Sequence, residues 1–192
     1  MIRSLYNWTL SLAHSPYALW ALAIVAFIES SIFPIPPDLM MIPMIIAAPR
    51  RAFLIAGVAT FASVFGGLFG YIIGMFAFGS LGQPILEALG KAHSMEEFSM
   101  QFNDMGFWAV LIAGITPFPY KVITIMSGWT GMPLGTFIVT SIVARALRFF
   151  IIATLLWKFG EPIRAFIEKR LGLVFTAFCV VLVVGFLFVN FI

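Results

Sequence analysis

The chain has 192 residues, 62% of them hydrophobic and only 10% charged, with a mean hydropathy of +1.08 and a formal net charge of +3. A soluble domain carries roughly 25% charged residues, and a disordered chain combines low hydrophobicity with high net charge. Both classes are excluded, so the composition predicts an integral membrane protein. The cations do not gather on a soluble face, so basic cytoplasmic loops account for the net charge and no nucleic-acid partner is expected.

In chain order, residues 1–16 read as an interfacial segment, with Tyr6 and Trp8 suited to the headgroup level. Met1 to Asn7 lacks the basic, apolar and small-residue succession of a cleaved signal, so the first membrane segments are expected to be retained. Apolar segment 17–33 carries Glu29 and runs into Pro34, Pro36 and Pro37, which cannot continue a helix. A short apolar piece, 39–48, ends at Pro49-Arg50-Arg51, and 52–78 is a full-length span. Within that span Gly66, Gly70 and Gly74 stand four apart on one face, a spacing for close helix packing.

Residues 79–106 are the extended polar stretch, with Glu87, Glu96, Glu97 and Asp104 against Lys91. Ser94 and Glu97 form a capping-box pattern there. A short apolar piece (107–115) then meets Pro117 and Pro119, and another (122–132) ends near Pro133. A span over 134–159, a basic loop containing Lys158, Arg164, Lys169 and Arg170, and a charge-free segment 171–191 complete the chain.

Shifting the first half by about 83 positions places Pro34 on Pro117, Pro36 on Pro119 and Asp38 on Lys121. The expected fold is an all-α integral membrane protein: an inverted repeat of two re-entrant helical hairpins, each followed by a long transmembrane helix, plus a C-terminal transmembrane helix. Repeat 1 is 17–78, the extramembrane loop 79–106 and repeat 2 107–159, within a membrane domain of 17–160; the final helix is 171–192. Ten residues rise about 15 Å, half of a hydrocarbon core, which is why the short pieces read as hairpin arms. The positive-inside rule puts Arg50, Arg51 and the Lys158–Arg170 loop in the cytoplasm and the acidic loop outside. If 17–33 crosses fully instead, that assignment of Arg50 and Arg51 breaks.

Five ionisable residues fall at membrane depth: Glu29, Asp38, Lys121, Arg145 and Arg148. Such residues normally pair or line a polar path. One reading is an anion site in which Lys121, Arg145 and Arg148 hold a phosphate and Glu29 and Asp38 carry a coupling proton. The other is a neutralised salt-bridge cluster that locks the hairpins together. His14 and His93 have no partner at ligand spacing, Cys179 reads as packing, and no metal or cofactor is expected. The motifs H-E-x-x-H, G-x-S-x-G and G-x-x-x-x-G-K are absent, so an enzyme is not expected.

The run from Glu29 to Asp38 (ESSIFPIPPD), the glycine-rich stretch from Phe65 to Gly74 and the second Pro-x-Pro before Ser127-Gly128 resemble the DedA family. These are small bacterial membrane proteins of the VTT (SNARE-associated) superfamily, with the YqaA-type branch as the nearest fit over roughly residues 20–160. The resemblance implies a multi-pass bacterial inner-membrane protein with two opposed re-entrant hairpins. It also implies translocation of a lipid phosphate such as undecaprenyl phosphate, or scrambling of phospholipids, linked to the proton gradient. Family acidic residues near the first tip carry over onto Glu29 and Asp38. Arginines that typical members place around the second tip are replaced by Gly114, Thr116 and Tyr120, leaving Lys121 as the local cation. Membrane lipids and a lipid-phosphate substrate are the implied partners, with a homodimer left open. A non-transporting scaffold and a small oxyanion or ion carrier remain rival readings. Cysteines placed at Arg50 and within 79–106 should react with an impermeant reagent from opposite sides of the membrane. Labelling of both from one side overturns the opposed orientation.

Overall fold

Proline decides where the first helices stop. The structure, a computed structural model, describes residues 17–32, 36–82, 84, 92–116 and 119–189, and among these it is helical with no strand. Helix α1 spans Ala18–Ser31 and closes with the Ile32 N–H on the Ile28 carbonyl, just before the proline segment. Helix α2, Asp38–Ala47, begins after Pro37, which needs no N–H at a helix start and brings a helical φ of −63°. Asp38 in its first turn complements the positive end of the helix dipole. Two of the expected tip residues, Pro34 and Pro117, lie outside the described residues, as does the interfacial segment 1–16.

A 3-10 turn, Pro49–Arg51, swings the chain into α3, Ala52–Ala77, which finishes in a π turn at Phe78–Gly82. Polar helix α4, Ala92–Asp104, contains Ser94 in its first turn, so that serine does not stand in front of the helix as a cap. Helix α5 (Gly106–Ile115) ends with Thr116 in an extended conformation, and α6 (Tyr120–Trp129) starts after Pro119. Gly131, with φ of +67°, ends α6 in a Schellman arrangement. Its own N–H donates to the Gly128 carbonyl and the Met132 N–H to the Ser127 carbonyl.

Helix α7 corrects the expected order at the C-terminus. In place of a span, a basic loop and a separate last helix, the backbone runs as one helix over Leu134–Val189, through Pro162. A proline removes one helical hydrogen bond and bends a helix without having to end it. The residues that follow it, Ile163 to Leu171, are helix formers with no glycine among them. At 56 residues the helix is about 84 Å long, far more than one hydrocarbon core. Among the described residues searched, its portion Leu134–Gly160 and the stretch Pro49–Ser80 are long and apolar enough to cross a membrane.

Helices α3 and α7 pack against each other at the centre. Each receives the first short helix of its own half, α1 on α3 and α5 on α7. Each also receives the second short helix of the other half, α6 on α3 and α2 on α7. Packing of α3 is backbone to backbone. A Cβ at Gly66 would fall on the Phe27 carbonyl of α1, at Gly74 on the Ile125 carbonyl of α6, and at Gly128 on the Tyr71 carbonyl of α3. Gly70 faces Thr124 and the Ser30 carbonyl. In lipid no hydrophobic force draws helices together, so this close approach supplies dispersion contacts that larger residues would block.

Polarity runs from outside to inside. Phe61, Phe65, Phe76, Trp20, Trp108 and Trp157 are all more than half exposed, while Ser30, Ser63, Thr124, Ser141 and Arg145 are buried. Soluble monomers rarely expose apolar patches beyond a few hundred Å², and an inward-facing polar set inside an apolar shell is what a bilayer demands. Gly128→Ala should therefore lower thermal stability in detergent by about 1–3 kcal/mol through overpacking. Gly57→Ala, whose Cβ meets nothing within 4 Å, should be neutral or stabilising by up to about 1 kcal/mol.

Candidate functional site: a charged junction between the broken helices

The proline breaks leave helix ends inside the protein, and the five ionisable residues sit around them. Glu29 lies in the last turn of α1, Asp38 at the start of α2 and Lys121 at the start of α6. Arg145 and Arg148, three apart, share one face of α7. An unpaired charge at the bilayer centre costs about 2.5–3.5 kcal/mol, so four of them alone would equal the stability of an ordinary domain. Pairing is therefore compulsory, and the structure shows how it is arranged.

Arg145 has the largest side chain among the fully buried described residues, with 2% exposure. Its Nη2 donates to Glu29 Oε2 at 2.7 Å and its Nε to Ser63 Oγ at 2.5 Å. Ser63 and Ser30 hydroxyls lie 2.6 Å apart, and Ser30 Oγ donates to Glu29 Oε2 at 3.1 Å. Arginine can only donate, so Ser63 accepts from it, gives its proton to Ser30, and Ser30 gives its own to Glu29. The four side chains thus close a ring in which two donor paths run from Arg145 to Glu29, one direct and one through both serines, with no idle hydroxyl. Tyr120 and Phe149 rings each lie 4.7 Å from the guanidinium carbon, covering the cation with aromatic faces. Tyr120 is held in turn by donating to Ser141 Oγ at 2.6 Å.

Arg148 is held more loosely. Its Nη2 donates to Asp38 Oδ2 at 2.5 Å, and its Nη1 donates to the Thr116 carbonyl at the end of α5. The side chains are 14% and 16% exposed. Only one of two possible parallel bonds is made: Arg148 Nε and Asp38 Oδ1 are both buried without a partner among the described residues. Lys121 Nζ donates to the Ile32 carbonyl at 3.1 Å, just past the end of α1. Two broken-helix C-termini thus each receive a cation, the sign that their partial negative charge favours.

Glu29 and Asp38 are each brought onto an arginine of α7, while Lys121 makes no ion pair among the described residues. Pro36, Pro37 and Pro119 stand at the starts of α2 and α6. His93 is exposed, 3.4 Å from Glu97, and no group of metal-binding side chains occurs among the described residues. Ser30, Ser63 and Phe149 are parts of the site that residue types alone do not single out. Tyr120, which in sequence marks only a missing arginine, turns out to lie against Arg145. The available signal was position: Ser63 stands one turn before Gly66 and Gly67 on the packed face of α3.

The VTT domain profile matches residues 35–158, a range containing Asp38, Lys121, Arg145 and Arg148. An uncharacterized protein of Haemophilus influenzae is 33% identical over 183 residues, 95% of either chain. An uncharacterized protein of Histophilus somni is 34% identical over 169 residues, 86% of this chain and 88% of that one. No solved structure matches.

Breaking a buried pair from one side leaves the other charge stranded. Arg145→Met should cost about 3–5 kcal/mol, and adding Glu29→Gln should restore most of it. Thermal unfolding of the single and double variants in detergent reads both numbers. Equal loss in the two would mean that the pair is not the source of the effect.

Proposed function

Because the chain belongs to the VTT domain family, the DedA family, we propose that it moves a lipid with a phosphate headgroup across the bacterial inner membrane. Undecaprenyl phosphate or a phospholipid would be the cargo, and the proton gradient the coupling source. The observation that carries this reading is the convergence of five ionisable side chains at the breaks of two interrupted helices, inside an apolar shell. Polar residues at such depth are expensive and ordinarily mark a pathway. Interrupted helices at matching positions of two halves are where transporters place their binding sites.

The exchanged packing, α6 on α3 and α2 on α7, supports an inverted repeat of two hairpins. Helices α2, α5 and α6, at ten residues each, rise about 15 Å, which supports re-entrant arms over full crossings. Charge bookkeeping favours an anion: the five residues sum to one positive charge, and Lys121 is the cation left over after two ion pairs. Lys121 and Arg148 would contact the phosphate while the acyl or prenyl tails stay in lipid.

A second reading, a scaffold that only fixes helix packing, is favoured by the fully occupied ring around Arg145. Reconstitution into vesicles separates the two. Phosphatidylglycerol with a fluorophore on its acyl chain should lose its fluorescence to an external quencher beyond the half that faces outward. Lys121→Gln should slow that flip by about 10–100-fold, the loss of one charge-assisted contact of about 1.5–3 kcal/mol, with membrane expression intact. If wild-type protein accelerates flip of neither this lipid nor undecaprenyl phosphate, or if the Lys121 variant fails to accumulate, the scaffold reading stands.

A further inference from the structure

The two arginine–carboxylate pairs are built differently, and the difference assigns them different work. The Arg145 pair is finished: one serine, a carboxylate and two aromatic rings use or cover the guanidinium, and Ser30 links Ser63 back to Glu29. The Arg148 pair is half made. Carboxylate and guanidinium are joined by one bond, while a second donor (Nε) and a second acceptor (Oδ1) are left without partners out of contact with solvent. A buried donor or acceptor without a partner costs about 1–3 kcal/mol. A purely structural pair would close into the bidentate form or recruit a hydroxyl, as Arg145 does.

We infer that Asp38 and an anionic phosphate headgroup compete for Arg148, so that one proton is taken up by Asp38 for each headgroup bound. This rests on the lipid-phosphate reading and names its coupling element. As the headgroup opens the junction to the aqueous phase, Asp38 Oδ1 takes up a proton from hydronium, which leaves as water; the carboxyl becomes neutral, and its hold on Arg148 Nη2 weakens. Arg148 Nε and Nη2, the paired edge of the fork, then receive two phosphate oxygens, with Lys121 as the neighbouring cation. Loss of the headgroup returns the guanidinium to Asp38, which releases the proton. Arg148 keeps its Nη1 bond to the Thr116 carbonyl throughout, so it need not leave its place. Glu29 stays locked on Arg145 and does not enter the exchange.

The electrostatic neighbours agree with this division. Asp38 is paired with Arg148; the other charged groups at the helix breaks are Arg145, one turn earlier on α7 and committed to Glu29 of α1, and Lys121 of α6, bonded to the Ile32 carbonyl. Arg50 and Arg51 lie at the opposite end of α2. Helices α3 and α5 bring no Asp, Glu, Lys or Arg to the junction. A headgroup arriving without a proton would face a carboxylate already seated on its arginine. A proton arriving without a headgroup would leave Arg148 and Lys121 as two uncompensated cations. Each ligand therefore favours the other, which is linkage in its simplest form.

The test is thermal stabilisation of the purified full-length protein in nonionic detergent by phosphatidylglycerol, a phosphodiester whose charge does not change across the neutral range. For the wild type, the lipid fraction giving half-maximal stabilisation should rise with increasing pH, with a limiting slope of about tenfold per pH unit for one linked proton. Asp38→Asn should bind with no pH dependence at the tight, acidic-limit value. Glu29→Gln should lower the starting stability and keep the slope. A flat wild-type profile, an Asp38→Asn profile that retains the slope, or a slope removed by Glu29→Gln overturns the inference. Should Asp38→Asn not elute as a single folded species, Asp38→Glu serves in its place. That variant keeps an acid and must keep the slope with a displaced midpoint, and an unmoved midpoint overturns the inference. Because binding is read without transport, proton-linked binding with no flip sinks the transport reading alone. Flip with pH-independent binding sinks the exchange alone.

Discussion

Charge buried in an apolar chain is the constraint on which the rest of this structure depends. Four of the five ionisable residues around the helix breaks meet as Glu29 with Arg145 and Asp38 with Arg148. Both arginines stand on α7, and the two acids stand on the two arms of the first broken helix pair, α1 and α2. One face of one helix thereby sets the position of both arms. The same helix reaches the second break through the bond from Arg148 to the Thr116 carbonyl. In a bilayer, where a stranded charge costs several kcal/mol and water cannot screen it, such pairs specify a single arrangement of helices.

Glycine makes that arrangement reachable. The short helices must come close enough for Ser30 on α1 to touch Ser63 on α3 and for Thr124 on α6 to reach the Ser30 carbonyl at 3.1 Å. Gly66, Gly70 and Gly74 allow α1 and α6 to meet side by side on one face of α3 at backbone contact. Gly128 repeats the device from the other side of the α3–α6 contact. Packing and polar chemistry are thus one design: small residues set the distances, and hydroxyls and ion pairs use them.

Several features were legible because they follow from local rules. The stops before the proline segments, the starts of α2, α6 and α7 behind Pro37, Pro119 and Pro133, and the two long apolar stretches need only the missing N–H of proline and a count of apolar residues. The C-terminal reading went astray for a local reason too. Basic residues around Lys158 to Arg170 looked like a loop, but Lys and Arg are good helix formers, and a single Pro162 did not outweigh them. Charge marked where a membrane surface should fall, which is a separate matter from where a helix should end.

Composition and proline spacing determined by themselves that this is a helical chain of membrane-protein character, with two apolar stretches that run into Pro-x-Pro and five ionisable residues set among apolar segments. Those properties depend on the solvent and on neighbours a few residues away. Which carboxylate meets which arginine, and that Ser30, Ser63, Tyr120 and Phe149 complete one pair while the other stays half open, was decided only by tertiary structure. The partners lie 116 and 110 positions apart along the chain, and no local rule acts over that distance. They meet because α7 packs against α3 and α2 while α1 packs on α3. The difference between a finished pair and an open one is a matter of single hydrogen bonds, set by the helix positions and invisible in residue types.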